Sequence, residues 1–201
     1  MRHGATAWNA TGRFQGRSDV ELSPAGREQA RAIAARLAGE RIDRIYASDL
    51  VRAFETAGIV AAPHGLTVTP DARLREFAFG EWEGLTWDEI LAKHPHLRAV
   101  DVTAAKNYTP AGGETFADVT LRVGSFFDEL VARAGAGERV VVVTHAGPLH
   151  AALGVLKTGL EDASGPVSVS FAAASLTRIT MEHGVARLIS LSDVRHLHPA
   201  R

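Results

Sequence analysis

Apolar residues recur along this chain with two alternating spacings, one typical of helices and one typical of strands. The segment SPAGREQARAIAARLAGE (residues 23–40) has apolar residues at the i, i+3, i+4, i+7 spacing that places them on one face of a helix. These residues are Ala30, Ile33, Ala34 and Leu37. Ser23 suits the N-cap, Pro24 the first helical position and Gly39 the end. The pattern therefore predicts an amphipathic helix.

Shorter runs of both kinds follow along the chain. Strands are predicted for RIDRIYAS, GLTVT and ERVVVVTHAG. The last has a continuous β-branched run, typical of a strand buried on both faces of a parallel sheet. Helices are predicted at 50–60, in GLTWDEILAKH with a Thr86–Glu89 capping box, near Thr115 and from about Pro148. The third of these helices has an apolar stripe formed by Val119, Val123, Phe126, Phe127, Leu130 and Val131.

Strands that alternate with helices predict an α/β fold, a three-layer α/β/α sandwich with a mostly parallel sheet. The segment SLTRITMEHGVARLISL predicts two final strands joined by a turn at His183-Gly184, so the sheet is expected to be mixed. A length of 201 residues suits one domain over 1–201. The least regular stretch, 78–114, is interpreted as a small insertion over one end of the sheet, where it would cover an active site.

Composition narrows the range of functions. Hydrophobic residues make up 46% of the chain, charged residues 22%, and the formal net charge is -1, so no global charge favours nucleic acid or an anionic membrane as a partner. The chain has no cysteine, which excludes disulfides, thiolate catalysis and cysteine-based metal sites. No secretory signal or membrane-spanning apolar run is visible. We therefore expect a cytoplasmic protein.

Basic side chains follow three of the predicted strands. RHG (2–4), which contains Arg2 and His3, is predicted to be the end of a first strand followed by a glycine turn. Arg52 comes early in the helix after IYAS, and His145 follows VVVVT. Ligands of open α/β sheets bind at the carboxyl ends of the strands, so these four residues would form a pocket for a dianion such as phosphate. Taken singly, such a histidine often caps a turn and such an arginine is usually solvated. The spacing alone leaves these alternatives open and names no reaction.

Five blocks of sequence resemble the histidine phosphatase superfamily, also called phosphoglycerate mutase-like. They are RHGATAWNATGRFQGRSDVELSPAGREQA, YASDLVRAFETA, LREFAFGEWEG, PAGGETFADV and VVVTHAG. The blocks occur in the family's order and span residues 2–147. The sequences LREFAFGEWEG and PAGGET resemble the small phosphatase branch more than the mutase branch. The small phosphatase branch includes α-ribazole and sugar-phosphate phosphatases.

The resemblance implies a role for each matched residue. His3 would be the nucleophile that becomes phosphohistidine, and Glu76 the proton donor. Arg2, Arg52 and His145 would bind the phosphoryl group. The expected substrate-binding positions are Arg2, Asn9, Gln15, Gly16, Arg52, His145 and Ala146. A backbone carbonyl in the turn after His3 is expected to accept the proton of one ring nitrogen, which would leave the other nitrogen free to attack phosphorus.

Several of these residues also have structural interpretations. Glu76 could pair with Arg73 or Arg75 at the surface, and Asn9 could cap a turn. Gln15 could be solvated. Trp82 and Trp87 are interpreted as packing residues of the insertion. The motifs HPH (94–96) and HLH (196–198) are interpreted as solvated loop or tail histidines, and no metal site is expected.

The resemblance implies a metal-independent phosphoric monoester hydrolase of the histidine acid phosphatase type that acts on a small phosphorylated metabolite without a cofactor. A phosphoglycerate mutase is the alternative, although such mutases usually carry a longer insertion and tail. An inactive module that binds a phospho-ligand comes third. A homodimer is possible.

The chain departs from the family pattern at two positions. Ala5 stands where many relatives have glutamate, a difference that would bear on substrate choice. Only Met1 precedes RHG, where the family has four to six apolar residues that form a central strand. We therefore expect the native protein to begin several residues earlier, with an apolar segment.

Overall fold

A computed structural model describes residues 1–99, 109–156, 158, 161–162, 165–166 and 169–198. The central strand of its main sheet is β1, Arg44–Ala47. It lies between β2, Val68–Pro70, and β3, Val140–Val143, and pairs with both in parallel. The predicted largely parallel sheet is confirmed. Part of the predicted insertion, residues 100–108, lies outside the described residues.

The first residues of the chain extend this sheet beyond β3. The amide of His3 donates to the Thr144 carbonyl at 3.0 Å, and the amide of Thr144 donates to the Met1 carbonyl at 2.9 Å. On the opposite side, Arg2 N–H donates to the Ser175 carbonyl at 3.1 Å, and Ala174 N–H to the His3 carbonyl at 2.9 Å. The chain start therefore lies between the parallel sheet and the segment that leads into the C-terminal hairpin.

The predicted C-terminal hairpin is confirmed, with β6 at Leu176–Glu182 and β7 at Val185–Asp193. Its place in the sheet differs from the expectation. The two strands form a ladder only with each other, as a separate two-stranded sheet. The hairpin reaches the parallel sheet through the hydrogen bonds of Arg2 and His3, because that short segment is all that separates it from β3.

The helices agree with the predicted pattern in most respects. They are α1 Ala7–Ala10, α2 Pro24–Leu37, α3 Val51–Ala61, α4 Trp87–Lys93, α5 Phe116–Arg133 and α6 Ala146–Val155, and a short β4–β5 pair joins Glu161–Asp162 to Gly165–Pro166. Ser23, Thr86 and Thr115 cap α2, α4 and α5 through their side chains, as their sequence context indicates.

The three layers follow from the alternation of side chains along β1. Ile45 and Ala47 are buried in an apolar cluster with residues of α2 and α3. Tyr46, which points to the other face, makes an edge-to-face contact with Phe126 of α5 at 5.5 Å between ring centroids. The described part of the insertion has a cluster of its own around Trp82, with Trp87 packed against it. This confirms the packing role expected for both tryptophans.

Three details of the pattern were predicted wrongly. Helix α6 begins at Ala146 rather than Pro148, because proline is tolerated anywhere in a first turn whose N–H groups have no partner within the helix. The stripe of α5 ends before Val131, whose surface is 40% exposed. Helix α1 was not predicted. It depends on a capping box between Thr6 and Asn9, in which asparagine replaces the usual glutamate or glutamine.

Among the residues that the structure describes, no helix combines the length and the apolarity that crossing a membrane requires.

Ile45 allows a test of the core, since it lies in the central strand and is 1% exposed. We expect Ile45→Ala to lower the free energy of unfolding by about 2–5 kcal/mol, because the surrounding core cannot relax enough to fill the cavity that the smaller side chain leaves. Urea denaturation followed by circular dichroism measures this loss. The matched control is Ile189→Ala on β7, where the side chain is 60% exposed and the expected loss is below about 1 kcal/mol. Equal losses in the two variants would contradict the packing described.

Candidate active site

His3 follows the isolated β-bridge that joins Arg2 to Thr144, where the chain turns toward α1. Its ring Nδ1 lies 2.7 Å from the carbonyl oxygen of Gly4, and a carbonyl can only accept, so Nδ1 carries the proton and Nε2 keeps its lone pair. The amide of Gly4 donates to Thr56 Oγ1 at 3.1 Å. A Cβ at Gly4 would lie 2.4 Å from the Gly26 carbonyl, so only glycine lets the turn approach α2 this closely. The turn therefore fixes both the position and the tautomer of His3.

The environment of His3 keeps its ring neutral. Burial lowers the pKa of His3 well below the usual value of 6.5, and the guanidinium groups of Arg52 and Arg2 lower it further. The hydrogen bond to Gly4 opposes this shift without reversing it. At neutral pH the imidazole is therefore uncharged, which is the form that can act as a nucleophile.

His145 is the N-cap residue of α6 and is fully buried beside His3. The two ring centroids lie 5.0 Å apart. His145 Nε2 lies 2.8 Å from the Ser48 hydroxyl, while its Nδ1 has no hydrogen-bond partner among the described residues. Burial lowers the pKa of His145 well below 6.5, with a further contribution from Arg52. One ring nitrogen of His145 is thus anchored and the other is left for a ligand.

The two arginines are held by backbone carbonyls rather than by carboxylates. Arg52 is 0% exposed, and its two terminal nitrogens donate to Ser18 O at 2.9 Å and Gly16 O at 2.7 Å. Arg2 Nη1 donates to Phe171 O at 2.6 Å. The Nε atoms of both guanidinium groups are buried without a partner in the described part of the chain. Two positive charges that carbonyls orient but do not neutralise form a site for an anion.

Glu76 faces these arginines from the loop that follows β2. Its Oε1 accepts hydrogen bonds from Phe77 N at 3.0 Å and Gly147 N at 3.1 Å. Burial raises the pKa of Glu76 above 4.5, although the two amides and the charges of Arg52 and Arg2 oppose the shift. The carboxyl group therefore holds its proton to a higher pH than an exposed glutamate does.

The surface-pairing alternative for Glu76 is wrong, because both of its candidate partners pair elsewhere. Arg75 pairs with Asp49, with Nε to Oδ1 at 2.7 Å. Arg73 pairs with Asp71 and Glu129. Neither arginine is therefore available to pair with Glu76, which lines the cleft instead.

Four of these groups, Arg2, His3, Arg52 and Glu76, share one cleft of about 280 Å³. His145 does not line it and lies behind His3, with 5.0 Å between the two ring centroids. The lining of the cleft includes Arg2, His3, Arg52 and Glu76 together with the predicted substrate positions Asn9, Gln15 and Gly16, and with Trp8, Gly12, Arg13, Phe14 and Phe79. Asn9 has the capping role that was one of its two interpretations, because its Oδ1 accepts the Thr6 amide at the start of α1. It also lines the cleft. Gln15 is 8% exposed rather than solvated. Ala146, in the first turn of α6, does not line this cleft, so its role stays a prediction.

The two histidine motifs lie away from this cleft. Within the described ranges, no group of three or more potential metal ligands is present. His94 lies 3.6 Å from Glu81 in the insertion. His196 is not a solvated tail residue, because its Nε2 lies 3.0 Å from the Ala174 carbonyl and the ring is partly buried. Since Ala174 N–H donates to the His3 carbonyl, His196 supports the segment beside the catalytic turn.

Three residues that hold the site were not identified from the sequence. Ser48 follows β1 directly and anchors His145. Thr56, one helical turn after Arg52, accepts from Gly4 and donates to the Arg52 carbonyl at 2.7 Å. Gly147 has no room for a side chain, because a Cβ there would lie 2.4 Å from Glu76 Oε1. The signal for Ser48 was its place at a strand end, and that for Gly147 was its place two residues after His145.

Comparison with known proteins agrees with this geometry. The family model for the histidine phosphatase superfamily (branch 1) matches residues 1–194. The chain belongs to this superfamily. The family and the fold predicted from the sequence are thus confirmed.

Individual members of the superfamily resemble the chain over most of its length. Phosphoglycerate mutase-like protein 4 of Arabidopsis thaliana is 41% identical over 153 residues, 75% of this chain and 66% of that protein. The metal-independent phosphoserine phosphatase of the same plant is 35% identical over 203 residues, 98% of this chain and 81% of that protein. The structure of a mycobacterial glucosyl-3-phosphoglycerate phosphatase in complex with VO3 superimposes with a TM-score of 0.83 at 35% identity, covering 94% of this chain and 95% of that one.

The close approach at Gly147 predicts a selective loss of function. In Gly147→Ala the new methyl group must displace Glu76 Oε1 or the Phe77 ring, because the nearest ring carbon would lie only 2.3 Å from the methyl carbon. We expect phosphate release from an alkyl phosphate to fall about 100-fold, the effect of displacing a reacting group by about 1 Å. The matched control is Gly58→Ala, an exposed helical position with nothing within 4 Å of the new methyl group. That variant should keep full activity and gain up to about 1 kcal/mol of stability. Full activity in Gly147→Ala would contradict the contact.

Proposed function

We propose that the chain is a metal-independent phosphomonoesterase that hydrolyses small phosphorylated metabolites through a phosphohistidine at His3. The observation that carries the proposal is the pairing of His3 Nδ1 with the Gly4 carbonyl beside two buried arginines. That contact presents a neutral Nε2 to an anion-binding cleft. Glu76 lines the same cleft with a raised pKa, which supplies the proton that a departing alkoxide needs.

In the first step, His3 Nε2 attacks the phosphorus atom, a nitrogen–phosphorus bond forms and the bond from phosphorus to the ester oxygen breaks. The proton of Glu76 passes to that oxygen, so the alcohol leaves uncharged. Arg2, Arg52 and His145 each have a buried nitrogen without a partner in the described structure, and we assign these nitrogens to the phosphoryl oxygens. The positive charge of the two arginines and the N–H groups of all three residues stabilise the negative charge spread over those oxygens during transfer.

In the second step, water attacks the phosphorus atom of the phosphohistidine. The carboxylate of Glu76 accepts a proton from the water, and the nitrogen–phosphorus bond breaks. His3 regains its lone pair at Nε2, Glu76 regains its proton and inorganic phosphate leaves. The Gly4 carbonyl holds the Nδ1 proton throughout, so no tautomer change is needed between the two steps.

The relatives support hydrolysis of small phosphate esters. Two of the proteins compared above are named as phosphatases, one for phosphoserine and the other for glucosyl-3-phosphoglycerate, and the former is described as metal-independent. Both of these substrates are phosphate monoesters of small hydroxylated molecules. A small phosphate ester also suits a cleft of about 280 Å³.

The covalent intermediate is the direct test of this proposal. Brief incubation with a ³²P-labelled phosphate monoester in the presence of EDTA should label the protein with a phosphate that is lost in acid and kept in alkali, because the label is a phosphoramidate. His3→Asn should give no label and no turnover. His183→Asn is the matched control, since His183 lies in the exposed hairpin turn at a φ of 51°, a conformation that asparagine also adopts.

The same assay separates the alternatives. Phosphate release that persists in EDTA supports the hydrolase. Interconversion of 3- and 2-phosphoglycerate without phosphate release would replace it with a mutase. A protein that gives neither reaction and no label would be a phospho-ligand-binding module.

The pKa shifts predict the pH dependence of kcat/KM on an alkyl phosphate. Attack requires neutral His3, so the rate falls with decreasing pH through the pKa of His3, which lies below 6.5. Proton donation requires protonated Glu76, so the rate falls with increasing pH through the pKa of Glu76, which lies above 4.5. Glu76→Gln should lose this basic limb of the profile, because an amide does not titrate in this range. Its rate should fall about 10²–10⁴-fold, because the amide cannot act as a general acid.

The substrate's own second ionisation, near pH 6, affects both proteins equally, so the ratio of the two profiles isolates Glu76. Glu28→Gln, which changes an exposed carboxylate of α2, should leave the profile unchanged. A basic limb that survives in Glu76→Gln would remove Glu76 from the proton-donor role.

A further inference from the structure

Arg122 of α5 contacts the backbone of the loop that presents Glu76. Its Nη1 donates to the carbonyls of Arg73 at 2.7 Å and Arg75 at 2.6 Å. Its Nη2 donates to the carbonyl of Glu76 itself at 3.0 Å. Three carbonyls within four residues of one loop thus depend on a single guanidinium group, whose side chain is only 15% exposed.

Glu114 holds Arg122 in this position. Its Oε1 accepts from Arg122 Nε and its Oε2 from Arg122 Nη2, both at 3.0 Å, which is the bidentate geometry that arginine and carboxylate prefer. The same carboxylate accepts the amide of Ala78 at 3.0 Å, two residues after Glu76. It also accepts Arg17 Nη2 at 2.7 Å, from the loop whose carbonyls orient Arg52. Glu114 therefore joins the Glu76 loop to the loop that holds Arg52.

We infer that the Arg122–Glu114 pair positions Glu76 for proton transfer to the leaving group. This inference rests on the proposed function, in which Glu76 is the proton donor. Arg122 binds the Glu76 carbonyl and not its carboxylate, and Glu114 neutralises its charge. Arg122 is therefore a positioning residue, which acts through the place of the loop. Loss of Arg122 should therefore slow only the step that depends on the exact position of the Glu76 carboxyl group, which is proton transfer to the leaving group.

Substrates with different leaving groups separate this effect from a general loss of structure. The kcat/KM value reports formation of the phosphohistidine. With an alkyl phosphate that step needs the proton of Glu76, whereas 2,4-dinitrophenolate leaves without one. We expect Arg122→Met to lower kcat/KM about 10- to 100-fold on the alkyl phosphate, the cost of a misplaced acid. On 2,4-dinitrophenyl phosphate we expect a fall of less than about threefold.

Two further variants accompany this one. Arg133→Met is the control on the same helix, where the side chain is 71% exposed and, among the described residues, pairs with Glu129. Both substrates should change by less than about twofold there, since exposed ion pairs contribute little. Arg122→Lys keeps the positive charge and the aliphatic stem but loses the planar fork that reaches the carbonyls. It should show the same selective loss, and it carries the test if Arg122→Met fails to fold in circular dichroism.

Equal losses on both substrates, or no loss on either, in a folded Arg122 variant would overturn the inference. Glu76→Gln shows whether the proposed function itself has failed. If that variant is not selective for the alkyl phosphate, the proton-donor role of Glu76 is wrong. If it is selective and the Arg122 variants are not, only the positioning role is wrong. Adding Arg122→Met to Glu76→Gln should cost little more, because a donor that is absent cannot be misplaced.

Discussion

Two uncompensated guanidinium groups beside a neutral imidazole are the constraint on which this structure depends. A buried charge is costly unless it is paired, and Arg52 is fully buried with carbonyl oxygens as its hydrogen-bond partners in the described part of the chain. Contacts from other parts of the fold reduce the free-energy cost of burying these charges. One loop turns its carbonyls toward Arg52, and the segment before the hairpin supplies Phe171 O to Arg2. Burial lowers the pKa of both arginines, and the nearby Glu76 opposes that shift. A bound dianion would complete the pairing that the protein leaves open.

The same two arginines determine how His3 must be held. The burial of the ring and their charge both disfavour imidazolium, so His3, as the proposed nucleophile, needs no general base to remove a proton from it. It needs only a fixed tautomer, which one carbonyl in its own turn provides. That turn in turn depends on neighbours, because Thr56 binds the Gly4 amide and Gly26 leaves room for the chain. The position, the tautomer and the charge state of His3 are therefore each fixed by a different set of contacts.

The parts of the fold that could be predicted are those that local sequence determines. Ser23, Thr86 and Thr115 marked helix starts because a capping side chain acts within three residues of itself. The clustering of His3, Arg52 and His145 followed from a general property of parallel sheets, whose carboxyl ends share one edge. The role of Arg122 could not be predicted, because its partners are carbonyls of a distant loop, and every residue has a carbonyl. Without the family resemblance, the residues alone left open whether Glu76 faces the site, since that required knowing that Arg73 and Arg75 pair elsewhere.

Glu76 illustrates why the supporting contacts matter as much as the catalytic ones. Burial favours its protonated form, whereas two amides and two arginines favour the carboxylate. A carboxyl group with a raised pKa can give its proton to a leaving alkoxide and take one back from water. That balance depends on distances to Gly147, Arg2 and Arg52, so a small movement of the loop changes both the reach and the pKa of the acid. Arg122 and Glu114 do not line the cleft, so they hold the loop through three carbonyls and one amide without adding a charge to the lining of the cleft.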